Sequence, residues 1–125
     1  MKILLDTHIL LWHLADDPRL EISKSELIEN SSYSKYLSII SLWEIAIKSS
    51  LGKLIINTEI DKIVPEEIKI LGLEMPHILA VQTLPFHHRD PFDRMIIAQA
   101  MSENMTVMTG DKRFGMYDVE LVQQR

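Results

Sequence analysis

An acidic residue ends the first apolar segment of the chain, at a point where the pattern otherwise describes a buried core. Asp6 follows the apolar residues 3–5 and precedes the apolar residues 9–12. A carboxylate moved out of water without a partner costs several kcal/mol or gives up its charge. A fold that buries both segments must therefore supply a partner for Asp6, and this requirement limits what the chain can become.

Three further acids occupy comparable positions. Glu44 lies within the apolar segment 39–47, Asp93 stands at the head of segment 95–100, and Asp111 follows segment 106–109. Repeated placement of this kind indicates that the carboxylates share a cation at one site. We therefore predict a divalent metal centre formed by Asp6, Glu44, Asp93 and Asp111.

The composition restricts both the number of domains and the kind of metal that we expect. With 125 residues, 46% of them hydrophobic, the chain suits one globular domain spanning residues 1–125. Because it has no cysteine, a disulfide scaffold and thiolate ligands are excluded, and a metal must be bound by oxygen or imidazole. Oxygen ligands favour hard cations, so the expected cofactor is Mg²⁺ or Mn²⁺.

The net charge of the protein bears on nucleic-acid binding, and its N-terminal segment bears on its cellular location. The formal net charge of -5 argues against nucleic-acid binding through bulk charge. Local basic residues beside the acids offset this argument: Arg89, Arg94, Lys112 and Arg113. The N-terminal stretch is interrupted by Asp6 and resembles neither a signal peptide nor a membrane span, so we expect a cytoplasmic protein without a membrane partner.

The periodicity of the apolar residues predicts strands that alternate with helices. The expected strands cover residues 2–5, 36–40, 105–109 and 119–122, with a short extended piece at 70–73. The expected helices cover residues 8–14, 24–30, 41–50, 58–69, 76–81 and 91–103, with a turn or short helix at 112–116. Such alternation predicts an α/β fold whose mostly parallel sheet is covered on both faces. Ligands in these folds bind outside the carboxyl ends of the strands, where the four acids fall.

Each acid also has a structural explanation, since carboxylates are common at the starts of helices. For Asp6, a role as helix N-cap and a functional role are about equally supported. Ser41 and Glu44 have the spacing of a capping box, although the apolar neighbours of Glu44 slightly favour function. Asp111 lies in a Thr-Gly-Asp turn where aspartate is common, so only the joint pattern favours a ligand role for it.

Two aspartates near the last predicted helix are assigned different roles. Asp90 precedes Pro91, and Asp-Pro is typical of a helix N-cap followed by the first helical residue. Asp93 shares the helical spacing of the apolar positions 96, 97, 100 and 101, so it heads the stripe that faces the core. We therefore expect Asp90 to be structural and Asp93 to be functional.

Secondary roles are expected for a few neighbouring side chains. Thr7 is a candidate to orient Asp6 or a bound water, with an ordinary threonine in the first helical turn as the equal alternative. Arg94, Lys112 and Arg113 are candidates to bind substrate phosphates, although solvated charges are the commoner case. No catalytic role is assigned to any histidine.

Four motifs, in order and over nearly the whole chain, resemble the PIN-domain family. They are LLDTHILLW, SLWEIAIK, HHRDPFDRMIIAQA and MTGDKRF, and the likeness is strongest to the VapC-like toxins of bacterial and archaeal toxin–antitoxin pairs. The resemblance implies a three-layer α/β/α fold, an acidic site that binds Mg²⁺ or Mn²⁺, and ribonuclease activity on an RNA substrate. It also implies inhibition by a cognate antitoxin protein and assembly as a homodimer.

The acids of that family match residues of this sequence one by one. The first matches Asp6 with Thr7 after it, the second matches Glu44, the third matches Asp93 and the fourth matches Asp111. These four are the expected catalytic residues and metal ligands, holding one or two cations that activate water to hydrolyse phosphodiester bonds. Without metal the clustered acids repel one another, so some should have raised pKa values. The segment 54–84 carries no matching motif and is a candidate for substrate choice.

Two other functional classes fit parts of the pattern. A non-catalytic α/β interaction module would keep the acids as helix caps and act only by binding a protein partner. A metal-dependent phosphatase or receiver-type domain also places acids at strand ends. That class is disfavoured because His8, two residues after Asp6, stands where such phosphatases use a second acid. A metal-dependent endoribonuclease is the preferred prediction, with the interaction module as the alternative.

Overall fold

The computed structural model describes residues 1–122 and contains a four-stranded sheet within them. The strands are β1 (Lys2–Leu5), β2 (Ser34–Ser38), β3 (Ile68–Leu71) and β4 (Thr106–Met108). Their order across the sheet is β3-β2-β1-β4, so β1 and β2 are the interior strands. Each neighbouring pair is parallel. The predicted α/β fold with a parallel sheet is confirmed.

Helices connect the strands and cover the sheet. The α-helices are α1 (Thr7–Leu14), α2 (Ile22–Glu29), α3 (Ile39–Ser50), α4 (Met75–Gln82) and α5 (Pro91–Glu103), and 3₁₀ turns span Ile60–Lys62 and Lys112–Met116. Even α5 has only 13 residues, whereas a membrane-spanning helix needs about 20. Within residues 1–122, no helix has the length and apolar character required to cross a membrane.

The side chains of β1 alternate between two hydrophobic clusters, one on each face of the sheet. Ile3 and Leu5 are buried together with residues of α1, α2 and α3. Leu4 points to the opposite face and packs with residues of α4 and α5. The sheet is therefore the middle layer of a three-layer α/β/α arrangement, as expected.

The strand registers place the carboxyl ends of β1, β2 and β4 at one level. Leu5 pairs with Leu37 of β2 and with Met108 of β4. The next residue, Asp6, donates its backbone N–H to the Met108 carbonyl at 2.9 Å. Because α1 and α3 begin directly after β1 and β2, the residues that follow these strands lie at the same edge of the sheet as the loop 109–111.

The start of α5 agrees with the sequence. The helix begins at Pro91, and the carboxylate of Asp90 accepts the backbone N–H groups of Phe92 and Asp93 at 2.9 and 3.2 Å. The predicted helix 91–103 and its N-cap are therefore confirmed. The agreement has a local cause, since a cap and a following proline act within a single helical turn.

The start of α3 differs from the sequence prediction. Ser38 is the N-cap, because its hydroxyl accepts the backbone N–H of Ile40 at 3.0 Å. The strand predicted to continue to residue 40 accordingly ends at Ser38. Ser41 lies inside the helix, so the capping box considered for Ser41 and Glu44 is wrong. The carboxylate of Glu44 therefore does not cap α3.

The middle and the end of the chain contain less regular structure than predicted. In place of a helix over 58–69, the structure has the 3₁₀ turn Ile60–Lys62 followed by β3. Pro65 lies between them, and a proline removes a helical hydrogen bond and disfavours helical backbone in the residue before it. The strand predicted at 119–122 is reduced to a bridge between Val107 and Leu121.

Candidate metal centre

A cleft of about 470 Å³ opens at the carboxyl edge of the sheet. It is lined by acids from four parts of the chain together with basic and aromatic side chains. The acidic residues are Asp6, Glu44, Asp90, Asp93 and Asp111, and the others are His8, Trp12, Lys48, Gly110, Lys112 and Arg113. The structure thus brings together the four acids that the sequence pattern singled out. The starts of α1, α3 and α5 and the loop after β4 place them there.

Asp6 stands between β1 and α1, but its carboxylate is not used to cap the helix. In the described part of the chain its side chain makes no capping hydrogen bond. Its Oδ2 accepts a hydrogen bond of 2.9 Å from the Thr109 hydroxyl, while its buried Oδ1 has no partner within residues 1–122. Burial raises the pKa of Asp6, and the bond from Thr109 opposes that shift. Asp6 is therefore the N-cap of α1 by position only, because capping does not engage its carboxylate, and one of its oxygens is available to a ligand.

Glu44 projects from the second turn of α3 and is only 2% exposed. Its Oε2 accepts a hydrogen bond of 2.7 Å from Lys48 Nζ, one helical turn later. Its other oxygen, Oε1, is buried without a hydrogen-bond partner among the described residues. A buried carboxylate oxygen without a partner is costly. Glu44, like Asp6, therefore presents an oxygen that a cation would stabilise.

Asp93 is strongly perturbed by its surroundings. Its pKa is raised to about 8, first by burial and then by the charges of Asp6, Asp90 and Glu44. This confirms the expectation that clustered acids raise one another's pKa values. The buried positions 96, 97 and 100 continue its stripe along α5, whereas Met101 is 40% exposed. The stripe that faces the core is therefore narrower than predicted.

Asp111 reaches the cleft with its carboxylate already engaged. It is the N-cap of the second 3₁₀ turn, with Oδ1 accepting the backbone N–H of Arg113 at 2.9 Å. Its Oδ2 lies 2.7 Å from Arg113 Nη2. These interactions lower the pKa of Asp111. The turn explanation describes its hydrogen bonding, and Asp111 also lines the cleft with the other acids.

Asp90 is a cleft residue that the sequence reasoning treated as purely structural. Its Oδ1 caps α5 as predicted. It also lines the cleft, and its charge helps to raise the pKa of Asp93. The available indication was the spacing of three residues between the two aspartates, because residues three apart at the start of a helix lie on the same side.

Two threonines near Asp6 have different hydrogen-bond partners. The buried hydroxyl of Thr7 donates to Ser41 Oγ at 2.8 Å, so it joins the starts of α1 and α3 instead of orienting Asp6. The hydroxyl that orients Asp6 belongs to Thr109, which also accepts the backbone N–H of Asp111 at 3.0 Å. The sequence reasoning missed Thr109, although it follows β4 in the same way that Asp6 follows β1.

The basic residues near the acids divide into two groups. Lys112 and Arg113 are exposed and line the cleft. Arg94 is only 6% exposed, and its guanidinium donates to the carbonyl oxygens of Leu84 and Pro85 at 3.1 and 2.7 Å. The phosphate-binding role considered for Arg94 therefore does not fit its placement, and neither does the alternative of a solvated charge. Its donors hold the loop that precedes α5.

His88, on the loop that leads into α5, is a buried neighbour of Asp93. Its Nδ1 lies 2.9 Å from Tyr117 Oη. Its Nε2 lies 3.5 Å from Asp93 Oδ2 and has no hydrogen-bond partner within residues 1–122. Burial lowers the pKa of His88, which favours the neutral ring. Nothing in the motif distinguishes His88 from its neighbour His87, so no catalytic role is predicted for it from the sequence.

Gly110 allows the loop after β4 to pass against the ring of Trp12. A Cβ atom at Gly110 would lie 2.9 Å from Trp12 Cζ3, closer than side chains approach one another. Trp12 belongs to α1 and also lines the cleft. The loop that carries Thr109 and Asp111 therefore passes close to the Trp12 ring. Trp12 is half-buried and packs against the hydrophobic cluster that contains Ile3 and Leu5.

The donor set of the cleft fits a hard divalent cation. The candidate ligand atoms are carboxylate oxygens, and Asp6 Oδ1 and Glu44 Oε1 are buried there without partners in residues 1–122. Among the described residues, no three acids or histidines of the cleft bring one ligand atom each within 4.8 Å of one another. A cation bound through one or two of these carboxylates would complete its coordination with water, as Mg²⁺ commonly does.

A different trio, Glu74, His77 and Glu103, does place its ligand atoms within 4.8 Å of one another. Its hydrogen bonds have a structural explanation. His77 Nδ1 accepts the backbone N–H of Glu74 at 3.0 Å as part of a capping box. His77 Nε2 lies 2.7 Å from Glu103 Oε2, so both ring nitrogens are engaged. The trio joins the start of α4 to the end of α5, and we do not assign it as a metal site.

Comparison with families of known proteins gives a match over nearly the whole chain. The model of the PIN domain family matches residues 3–120. This range includes the four acids Asp6, Glu44, Asp93 and Asp111. Among curated proteins, none matches this sequence.

Solved structures share the fold at low sequence identity. A chain of VapBC2 from Rickettsia felis, bound to a DNA fragment from their promoter, has a TM-score of 0.74 and 18% identity over 98% of both chains. A chain of VapBC-1 from nontypeable Haemophilus influenzae has a TM-score of 0.67 and 19% identity over 98% of this chain and 97% of that one. DNA-bound VapBC from Salmonella typhimurium gives a TM-score of 0.69 and 16% identity with the same coverage. At these identities the likeness establishes the fold.

Proposed function

This chain belongs to the PIN domain family, whose model covers residues 3–120, and on that premise we propose that it is a metal-dependent endoribonuclease. It hydrolyses RNA phosphodiester bonds and acts as the toxin of a toxin–antitoxin pair. Asp6, Glu44, Asp93 and Asp111 are its proposed catalytic residues and metal ligands. Its proposed cofactor is Mg²⁺ or Mn²⁺.

The proposal rests chiefly on uncompensated negative charge in the cleft. Asp6 Oδ1 and Glu44 Oε1 are buried without hydrogen-bond partners within residues 1–122. The pKa of Asp93 is raised to about 8 by burial and by the surrounding acids. Buried polar atoms are ordinarily hydrogen-bonded, so each exception needs an explanation. A divalent cation would satisfy both oxygens and offset the repulsion at Asp93.

The side chains around the acids have distinct parts in the proposed reaction. When bound, a divalent cation lowers the pKa of water and stabilises negative charge at phosphorus. Thr109 holds Oδ2 of Asp6 and leaves Oδ1 for the cation. Lys48 holds Oε2 of Glu44 in the same manner. Lys112, exposed at the cleft, is placed to donate to phosphate oxygens of the RNA.

An apolar groove continuous with the cleft supports the proposed antitoxin partner. One part of the groove, about 470 Å³ in volume, is predominantly apolar. Its apolar lining residues are Leu11, Leu14, Ala15, Ile55, Ile56, Ile63 and Pro65. A neighbouring part shares Leu11 and Ile55 with the first and shares Trp12, Glu44 and Lys48 with the cleft. A peptide with apolar side chains and a basic residue at one end would fit both parts, with its basic group meeting the acids.

We also propose assembly as a homodimer, as the family resemblance implies, and a cytoplasmic location. Exposed apolar side chains on α4 support self-association: Met75, Ile78 and Leu79 are 62%, 42% and 57% exposed. Clustered apolar surface of this kind commonly marks an interface. Light scattering on the purified chain tests the dimer, and the mass of a monomer at working concentration would contradict it.

The deciding experiment is cleavage of structured RNA by the purified chain, free of any antitoxin. The reactions contain Mg²⁺ or Mn²⁺, with EDTA and Asp93→Asn as controls. Asparagine keeps the size of aspartate and removes the ligand charge, so we expect cleavage to be lost in both controls. Asp61→Asn, at an exposed aspartate outside the cleft, is the matched variant and should cleave at the wild-type rate.

Thermal unfolding of the same samples distinguishes a missing RNA target from a missing metal centre. A cation that binds only the folded protein raises Tm in a concentration-dependent way. Stabilisation that is lost in Asp93→Asn, without cleavage, would support the metal centre and point to a different RNA target. If neither cleavage nor stabilisation is seen, the favoured function becomes that of a non-catalytic α/β interaction module that binds a protein partner.

A further inference from the structure

The ring of His88 bridges Tyr117 and Asp93. Its Nδ1 lies 2.9 Å from Tyr117 Oη, and its Nε2 lies 3.5 Å from Asp93 Oδ2. The His88 side chain is 3% exposed, so water has little access to either nitrogen. Within residues 1–122, Nε2 has no hydrogen-bond partner. Tyr117 is therefore the hydrogen-bond partner that determines which ring nitrogen of His88 carries the proton.

The contacts of Tyr117 decide where its hydroxyl proton goes. Its oxygen lies 3.2 Å from the backbone nitrogens of both His87 and His88 and 3.3 Å from Arg94 Nη1, all of which are donors. Donors cannot accept the hydroxyl proton. In the described part of the chain, His88 Nδ1 is the acceptor that remains. A neutral histidine whose Nδ1 accepts a hydrogen bond carries its own proton on Nε2.

We propose that His88 is a positioning residue for Asp93: its Nε2–H, oriented by Tyr117, donates to Asp93 Oδ2 and turns Oδ1 toward the cation. This inference rests on the proposed metal centre. Groups that ligate metals are commonly fixed in this way by an outer hydrogen-bonding partner. The separation of 3.5 Å is longer than a hydrogen bond. Contacts of this kind often tighten only when the ligand is bound.

The buried Arg94 belongs to the same network of contacts. Its guanidinium holds the carbonyl oxygens of Leu84 and Pro85 and also approaches the hydroxyl of Tyr117. Arg94 therefore ties the loop before α5 to Tyr117. The loop carries His88 to its place beside Asp93, and the donors around the Tyr117 oxygen leave its proton for the His88 ring.

Nitrogen-15 NMR of the histidine side chains tests the proposed hydrogen-bond direction in metal-free protein. The chain has five histidines, and His88→Gln identifies the signals of His88 by their loss. We expect the Nε2–H tautomer in the wild type. Tyr117→Phe removes only the hydroxyl, so it should shift His88 toward a mixture of tautomers. A wild-type His88 protonated at Nδ1 would overturn the inference.

Mn²⁺ binding, measured by calorimetry without RNA, tests the consequence for the cation. We expect His88→Leu to weaken Mn²⁺ affinity by roughly 10- to 100-fold, the usual effect of removing an outer partner of a metal ligand. His88→Gln keeps an N–H donor and should recover most of the affinity. His87→Leu is the matched control, since His87 is exposed and packs on the same Tyr117 ring at 4.8 Å between centroids.

The Mn²⁺ affinities of the wild type and of His88→Leu test the metal centre and the role of His88 separately. Equal Mn²⁺ affinity in folded His88→Leu and in the wild type would overturn the role of His88 while leaving the metal centre in place. A wild-type protein that binds no Mn²⁺ would overturn the metal centre, and the role of His88 with it, whichever tautomer is found.

Discussion

The Thr109 hydroxyl donates a hydrogen bond of 2.9 Å to Asp6 Oδ2, although the two residues are 103 positions apart in the sequence. The bond joins the ends of β1 and β4, which pair in parallel. It satisfies one oxygen of a buried carboxylate and leaves Oδ1 without a partner within residues 1–122. Thr109 therefore decides which oxygen of Asp6 is presented to the cleft.

Replacing Thr109 should show how much its hydrogen bond to Asp6 contributes to the free energy of unfolding. In Thr109→Val the shape is kept and the donor is lost, so the free energy of unfolding should fall by about 1 to 3 kcal/mol, the cost of an unsatisfied buried acceptor. Thr109→Ser keeps the hydroxyl and should stay closer to the wild type. Urea unfolding of metal-free protein measures both. An unchanged urea midpoint in Thr109→Val would show that the bond contributes nothing.

The raised pKa of Asp93 predicts how stability depends on pH. The pKa of Asp93 is 3.8 in the unfolded chain and about 8 in the folded, metal-free protein. Between these values the folded state holds a proton that the unfolded state has lost. The contribution of Asp93 to the free energy of unfolding is therefore largest at low pH, falls as pH rises toward about 8, and then levels off. Urea unfolding across this range measures the slope.

Asp93→Asn should flatten that dependence on pH, because asparagine does not ionise. Asp61→Asn, at an exposed site, should keep the wild-type slope. Cation binding must displace the proton from Asp93, so the apparent affinity for Mg²⁺ should rise with pH up to about 8. An affinity that is constant from pH 6 to pH 9 would argue against Asp93 as a ligand.

Asp90 should tolerate replacement by asparagine. Its carboxylate caps α5 through the backbone N–H groups of Phe92 and Asp93, and asparagine caps about as well as aspartate. Asp90→Asn should therefore fold normally and retain most of the cleavage activity. Asp90→Ala should lose about 1 kcal/mol of stability through the missing cap. Complete loss of cleavage in folded Asp90→Asn would instead place Asp90 among the residues that bind metal.

Gly110→Ala should disturb the loop after β4, since the added methyl group would lie 2.9 Å from the ring of Trp12. We expect a lower Tm and weaker Mn²⁺ binding. Removing the ring in Trp12→Ala opens the space, so the double variant should lose less stability than the sum of the single changes. Additive losses would mean that the contact between Gly110 and Trp12 does not limit this loop.

The sequence located the acids because burial of a charge is a local conflict that can be read residue by residue. Asp6, Glu44 and Asp93 each lie within or directly beside an apolar segment, and the ends of parallel strands meet at one edge of a sheet. The cap and helix at Asp90 and Pro91 could also be predicted, because the interactions that start a helix span only one turn. The family resemblance added the same four acids in the same order.

Prediction failed where two local patterns competed or where a partner lay far along the chain. Ser38 and Ser41 both precede apolar helical residues, and only the end of β2 decided that Ser38 is the cap. The polar stretch around Pro65 resembles a helix in composition, but the structure uses it to reach β3. Arg94 looks like a surface charge in sequence, yet packing of the loop before α5 buries it.

The sequence by itself determined the alternation of strands and helices, the parallel sheet, and the placement of the acids within or beside apolar segments. These features depend on periodicity and on the cost of burying charge, both of which are local. Only the tertiary structure decided that Thr109 orients Asp6, that His88 lies beside Asp93, and that Asp90 shares the cleft. Hydrogen-bond partners distant in sequence are set by strand register and by the packing of loops, and no local pattern of residues specifies either.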